Sequence, residues 1–231
     1  MIVPWKDLPP ELQCPEVRPY YEILYRRRGR LLIKRGFDIF ASIVLLLLLA
    51  PVMFGIAIWI RTDSPGPVFF RQERVTAFGK RFRICKFRTM RTDAEQLGAK
   101  LTADQDPRIT RVGKKIRDLR LDELPQLFNI LKGDMSFTGT RPEVPEYVHQ
   151  YAPEWRATLL LPAGVTSTAS VLYRDEDETL RRYTDMGLSV DRAYVEHILP
   201  EKMEYNLKDI KHFTLLHDLV ILFRTVIAVI R

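Results

Sequence analysis

The sequence predicts an α+β fold, mainly helical, seated on a membrane by a re-entrant helix broken at Pro51, with a short β-hairpin and amphipathic interface helices. Three observations predict it. Ile39 to Ile60 is a run without charge in which only Ser42 is polar. Elsewhere apolar residues recur mostly at helical spacing, and strand-like patterning is confined to one adjoining pair of segments. At 231 residues, 46% apolar and 28% charged, the chain can bury one ordinary core and is neither disordered nor a multidomain machine. Its two cysteines, Cys14 and Cys85, exclude a disulfide scaffold.

Residues 1–34 form a basic extension ending in Arg26, Arg27, Arg28, Arg30 and Lys34. The apolar run then covers about 33 Å as a helix, enough for a bilayer core. It begins too late and runs too long for a signal peptide, so it is expected to persist in the mature protein. A single transmembrane helix is the plain reading. Two features oppose it. Pro51 deletes the hydrogen bond to the Leu47 carbonyl and favours a kink. Arg61, Arg71, Arg74, Lys80, Arg81 and Arg83 follow the run, so both flanks are basic and a single span has no comfortable orientation. A helix that enters, breaks at Ala50-Pro51 and leaves on the same face satisfies both flanks, which makes 35–62 a re-entrant segment.

Pro67 to Val75 and Lys80 to Arg88 are strand-like and joined by Thr76-Ala77-Phe78-Gly79, a hairpin whose alternating arginines suit a solvated face as well as an anionic partner. Thr92-Asp93 starts a helix over Ala94 to Leu101. Ile109, Val112, Ile116 and Leu119 mark a helix over Thr110 to Leu119. Asp122 then reads as an N-cap, with Pro125 in the first turn and Gly133 at the stop. Asp175 to Met186 and Val190 to Leu199 read as helices, the second stopped by Pro200. Phe213 to Ile230 is apolar but interrupted by His217, Asp218 and Arg224, which suits an interfacial or packed helix better than a second span. No linker divides 63–231, read as one cytosolic domain with its C-terminal interfacial helix.

The net charge of +7 is unevenly spread: Arg61 to Arg120 holds 16 basic and 7 acidic residues, +9, while Leu121 to Arg231 is −5. Such a block calls for nucleic acid, an anionic membrane surface or substrate phosphates. No GxxxxGK[ST], HExxH or GxSxG motif is present, and His149, His197, His212 and His217 are scattered. The pair Asp122-Glu123 remains, with Arg108, Arg111, Arg117 and Arg120 before it and Arg141 after it. Asp122 alone is most simply a helix cap. The chemical alternative is that an ionised carboxylate attacks phosphorus without a general base, while a metal ion and arginine forks offset the charge of the phosphates.

Lys34-Arg-Gly-Phe-Asp38, Pro67-Val-Phe-Phe-Arg-Gln72, Lys86-Phe-Arg-Thr-Met90, Asp106-Pro-Arg-Ile-Thr110, Leu121-Asp-Glu-Leu-Pro-Gln-Leu127, Leu131-Lys-Gly-Asp-Met-Ser136 and Arg141-Pro142 follow one another in the order and spacing of a known family. From about Arg35 onward the chain resembles the bacterial sugar transferases, monotopic polyprenol-phosphate phosphoglycosyl transferases of the small single-domain type. The resemblance implies transfer of a sugar-1-phosphate from a UDP-sugar to undecaprenyl phosphate with release of UMP and a requirement for Mg²⁺, as the first membrane step of polysaccharide or glycoconjugate assembly. It implies that Asp122 becomes phosphoglycosylated, that Glu123 helps place the metal or the nucleophile, and that Arg117 and Arg141 hold phosphates. Lys86, Arg88 and Arg108, within the matching motifs, and Arg174 join them as phosphate-binding candidates. It further implies a re-entrant helix, here with Ala50 before Pro51 where Ser is commoner, and the cytoplasmic face of the bacterial inner membrane. A homodimer is left open. Gly139-Thr140-Arg141-Pro142 and Ala163-Gly164-Val165-Thr166-Ser167 depart from the commoner family patterns, the second in a segment associated with the donor. The competing reading is a non-enzymatic peripheral protein whose basic block binds anionic lipid or nucleic acid. RNA is its weaker form because no aromatic binding signature accompanies the arginines, and no nucleic-acid partner is expected.

Overall fold

A computed structural model of the chain describes residues 2–92, 107–173 and 176–230. The helix expected over Ala94 to Leu101 and the candidate Arg174 lie outside these residues. Two 3₁₀ turns, Trp5–Asp7 and Pro10–Leu12, lead into α1 (Arg18–Arg26). Tyr20, Tyr21 and Leu24 share one face of α1, and this face is buried. With Leu8, Leu12 and Val17 they pack on Ala157 and Leu160 of a 3₁₀ stretch and on Leu207, Ile210 and Phe213 from the C-terminal region. The basic extension is thus built into a core cluster.

α2 runs from Arg28 to Asp63, enclosing the apolar run and the basic turns before it. Those turns are helical because their polar groups are spent on the body beneath. Arg35 Nη1 and Nη2 donate to the carbonyls of Ile130 and Leu131 at 2.6 and 2.9 Å. Lys34 pairs with Asp218 at 2.7 Å, and Asp38 accepts from Ser136 Oγ at 2.8 Å. The helix is continuous through Ala50 and Pro51, so a change of direction there is a bend within a helix and not a gap. Leu45, Leu46 and Leu49 pack against Phe82, Ile84, Leu127 and Ile130, and farther along Met53, Ile56 and Ile60 pack against Phe87, Val112 and Ile116. The opposite face, with Leu47, Leu48, Val52, Phe54 and Ile58, is exposed.

The hairpin forms as expected. β1 (Phe69–Val75) pairs antiparallel with β2 (Arg81–Phe87), Phe69 opposite Phe87 and Val75 opposite Arg81. Alternation sends Arg71, Arg81 and Arg83 outward and turns Arg74 and Lys86 toward the body. α3 (Arg111–Asp118) starts at Thr110, whose Oγ1 accepts from Gly113 N at 2.9 Å. Leu119, read as part of its apolar stripe, falls past the helix end and is 61% exposed.

The next junction corrects the capping expectation. Arg120 adopts a left-handed conformation (φ 55°) that ends α3 and turns the chain into a 3₁₀ turn, Leu121–Glu123, and only then does α4 (Gln126–Lys132) begin. The residue before α4 is Pro125, with no side-chain cap, so Asp122 caps nothing. Gly133 stops α4 at φ 91° as expected.

β3 (Met135–Thr138) and β4 (Ala163–Thr166) form a two-stranded parallel sheet that the sequence pattern does not show. From β4, Gly164 N donates to Thr140 O at 2.8 Å, and Gly139 N, just after β3, donates to Thr166 O at 2.9 Å. A Cβ on Gly164 would lie 2.2 Å from Gly139 O, so only glycine permits this approach. Between the two strands lies the short helix α5 (Pro145–Val148), and after them come α6 (Thr168–Leu172), α7 (Glu176–Asp185), α8 (Val190–Ala193), a π-turn at Tyr194–Ile198, α9 (Leu199–Lys211) and α10 (Leu215–Ile230). Pro200 was expected to stop a helix. It instead sits in the first turn of α9, where its missing N–H costs little. α10 is packed by its interrupting charges: Asp218 holds Lys34, and His217 Nε2 lies 2.9 Å from Asp209 Oδ1. Leu216, Leu219, Phe223 and Val226 are left exposed.

Candidate active site

Four elements bring side chains to the Leu121–Glu123 turn. β2 supplies Lys86, whose Nζ donates to Glu123 Oε1 at 3.0 Å. The segment after β3 supplies Arg141. Its Nη1 donates to Glu123 Oε2 at 3.3 Å and to Val165 O at 3.2 Å, and its Nη2 donates to Glu123 Oε1. α3 supplies Arg117, and the turn itself supplies Asp122. The close contact of Gly139, just after β3, with Gly164 of β4 sets where Arg141 emerges, because Gly139 and Arg141 are two residues apart.

The two carboxylates are held differently. Burial alone would raise Glu123, but Arg141 and Lys86, through charge and hydrogen bonds, hold it well below the usual carboxylate range. Glu123 in turn raises Arg141. Asp122 is 8% exposed and has no hydrogen-bond partner among the described residues. Burial pushes its carboxyl up. Lys86 pulls it down, Glu123 pushes it up, Arg117 and Arg141 pull it down, and the outcome stays above the ordinary value. Glu123 is a fixed anion, and Asp122 is a carboxylate whose oxygens are uncommitted.

Next to this cluster opens a cavity of about 530 Å³. Glu123, Arg141, Arg117, Arg120 and Arg74 share its lining with Leu45 and Leu49 of α2, Leu127 and Ile130 of α4, Phe137 and Ala228. Asp122 is set back from the lining, beside Glu123 in the turn. Lys86, Arg117, Asp122, Glu123 and Arg141 are thus brought together as expected. Arg88 is not brought there. Its guanidinium donates to Pro65 O, Ser64 O and Ser64 Oγ at 2.6 to 2.9 Å, tying the end of α2 to β2. Arg108 is outside the cavity lining, next to the Met90–Ile109 bridge. Arg120, named with the arginines before the pair, also lines the cavity, whereas Arg74, Gln126, Glu176 and Lys202 line it and were not among the candidate site residues. Strand parity could have found Arg74. For Lys202 the signal was a lysine on the apolar side of a helix, next to Leu199 and Met203.

The bacterial sugar transferase family model matches residues 29–231, nearly the whole chain. The chain belongs to the bacterial sugar transferase family. It is 40% identical over 200 residues to a UDP-N-acetylgalactosamine-undecaprenyl-phosphate N-acetylgalactosaminephosphotransferase of Aeromonas hydrophila, covering 84% of this chain and 43% of that protein. It is 33% identical over 220 residues to a UDP-glucose:undecaprenyl-phosphate glucose-1-phosphate transferase of Escherichia coli, covering 94% and 44%. Against the exopolysaccharide production protein PSS of Rhizobium leguminosarum it is 36% identical, with 86% and 95% covered. The chain therefore spans less than half the length of the first two relatives. Within the sugar transferase match fall the Asp122-Glu123 turn, Lys86, Arg117 and Arg141, whereas most of the N-terminal brace around α1 precedes it.

Proposed function

We propose that this sugar transferase moves a sugar-1-phosphate from a UDP-sugar to undecaprenyl phosphate, releasing UMP, as the first membrane step of polysaccharide or glycoconjugate assembly. The observation that carries the reading is the cavity itself. Its arginines suit phosphates, and its apolar lining includes Leu45 and Leu49 of α2 and Ala228 of α10, helices that also carry exposed apolar faces. An amphipathic acceptor with a phosphate head and an isoprenoid tail matches both kinds of lining, and the relatives' names supply the donor and acceptor classes.

In the proposed reaction an Asp122 carboxylate oxygen attacks the phosphorus that bears the sugar, and the bond from that phosphorus to the bridging oxygen breaks. UMP leaves with the bridging oxygen. A phosphate oxygen of the acceptor then attacks the same phosphorus and displaces Asp122, which returns as carboxylate. Arg141 and Lys86 hold Glu123 as a paired anion and leave Asp122 as the carboxylate free to react, and Arg117 would offset phosphate charge. The described residues hold no cluster of three His, Cys, Asp or Glu; Asp122, whose oxygens are uncommitted, and Glu123 beside it are the carboxylates that would hold Mg²⁺. Bound there, Mg²⁺ would supply charge neutralisation on the phosphoryl oxygens.

For the membrane we propose a re-entrant course. Lys34, Arg35 and Asp38 near one end of α2 and Ile56 and Ile60 near the other are held by the same body, while the face between them carries exposed leucines. A straight 36-residue helix would extend about 54 Å, beyond what one bilayer core needs. The body would then rest on the cytoplasmic face of the inner membrane. UMP release from lipid-embedded protein tests the function: it is expected to be sustained only with both a UDP-sugar and undecaprenyl phosphate. No release from any UDP-sugar, with or without acceptor, would refute it.

A further inference from the structure

The cavity has a second polar stretch, distant in sequence from the Asp122–Glu123 turn. We propose that it is a subsite for adjacent hydroxyl groups of the donor, with Glu176 touching them and Lys202 positioning Glu176. The proposal rests on the UDP-sugar reading above.

Lys202 enters from α9 with its side chain only 7% exposed. Its Nζ lies 3.0 Å from Glu176 Oε2, 3.1 Å from Tyr194 Oη and 3.9 Å from Glu143 Oε1. Glu143 has other partners: Tyr194 Oη donates to it, and Arg74 Nη1 lies 3.9 Å from its Oε2. Tyr194, at 1% exposure, completes a rigid floor beneath the ammonium. Lys202 is therefore fixed in place, and what it fixes in turn is Glu176.

Glu176 differs from every other acid in this network. It begins α7, lines the cavity and has a side chain 26% exposed. Lys202 anchors its Oε2, while its Oε1 has no hydrogen-bond partner among the described residues. A carboxylate that lines a cavity, with one oxygen anchored by a buried ammonium and the other unbonded, accepts hydrogen bonds from hydroxyls. Like-charge repulsion makes it a poor contact for phosphate, and Arg117, Arg120 and Arg141 line the same cavity for that purpose. Ser170 and Tyr173, just before α7, add a hydroxyl and an aromatic ring to the lining. The Tyr173 ring packs 6.5 Å from that of Tyr205.

A UDP-sugar carries adjacent hydroxyls on its hexose and on its ribose, and both present the same chemistry. Initial-rate UMP release by the full chain in lipid distinguishes them, using a UDP-hexose, a UDP-N-acetylhexose and the 2′-deoxyuridine analogue of the better donor. Glu176→Gln should raise donor KM about tenfold or more, since a site built to bond a hydroxyl loses most when its acceptor goes. The KM for undecaprenyl phosphate and the melting temperature should not change. If the hexose is held, discrimination between the two sugars shrinks. If the ribose is held, the penalty for the 2′-deoxy donor disappears. Lys202→Met, which releases the anchored oxygen, should change selectivity in the same sense. Donor KM and selectivity within twofold of wild type in Glu176→Gln would overturn the subsite, as would losses shared equally by acceptor KM and melting temperature. Wild-type protein that releases no UMP from any donor would instead remove the transfer reading, and the subsite with it.

Discussion

Around α1, apolar surfaces meet and hydrogen bonds tie their polar atoms together: Tyr20 Oη donates to Glu154, Tyr21 Oη donates to Val3 O at 3.1 Å, and Arg27 Nη1 donates to Phe213 O at 2.5 Å. Around Glu123 charge is concentrated instead. Arg74, Arg117, Arg120 and Arg141 line one cavity, Arg120 takes a left-handed backbone, and Gln126 is 1% exposed with neither of its side-chain polar atoms hydrogen-bonded among the described residues. A buried amide without partners and a non-glycine residue at positive φ each cost on the order of 1–3 kcal/mol. The first region is packed for stability. The second keeps unfavourable features, and stability built elsewhere offsets them.

Asp122→Asn breaks this contrast most strongly. Activity is expected to fall by more than about a thousandfold, as for loss of a nucleophile, because an amide cannot form the phosphoglycosyl adduct. The melting temperature should hold or rise, since the substitution removes a buried charge and no cap. Wild-type protein given donor alone should release up to one UMP per site and gain the mass of a sugar phosphate on Asp122. Turnover by folded Asp122→Asn protein would sink the mechanism.

Leu24→Ala tests the other side. Leu24 is fully buried in the N-terminal cluster, so the truncation should cost about 2–5 kcal/mol in denaturant unfolding. Activity per folded molecule should stay at wild type. A loss of kcat at full folding would show that the brace reaches the active site.

The smallest effect is on pH dependence. In the proposed reaction Asp122 attacks as a carboxylate, so the acid limb of kcat/KM should lie above the ordinary carboxylate value, because burial raises this group. Lys86 is the first of the charges that pull it down, and Lys86→Met should move the limb to higher pH. Glu123 has the opposite sign: its folded value is depressed, so the stability it contributes is present above its unfolded value and lost as pH falls toward the folded one. Glu123→Gln should flatten stability on the acid side. An acid limb that stays in place in Lys86→Met would separate it from Asp122.

Legibility followed the range of the interactions. The hairpin, α3, the Gly133 stop and the amphipathic character of α10 were readable because strand alternation, a Thr cap, a C-terminal glycine and helical periodicity act within a few residues. The cap assigned to Asp122 failed because the left-handed turn at Arg120 is not encoded in any nearby glycine. The parallel pairing of β3 with β4 was hidden because its two strands have four residues each and pair across a long separation. Arg88 matched a motif in sequence, yet in space it binds the carbonyls of Ser64 and Pro65.

By itself the sequence determined the apolar helix, the hairpin, the basic block and the Asp122-Glu123 pair among arginines, since each depends on residue type and short spacing. Only the tertiary structure decided that Glu123 is the neutralised partner and Asp122 the uncommitted one, because Lys86 and Arg141 reach that turn from a strand 36 residues before Asp122 and a loop 18 residues after Glu123. It alone joined α2 and α10 to the same cavity and set Lys202 beneath Glu176. Charges separated by tens of residues perturb one another only when folding removes the water between them.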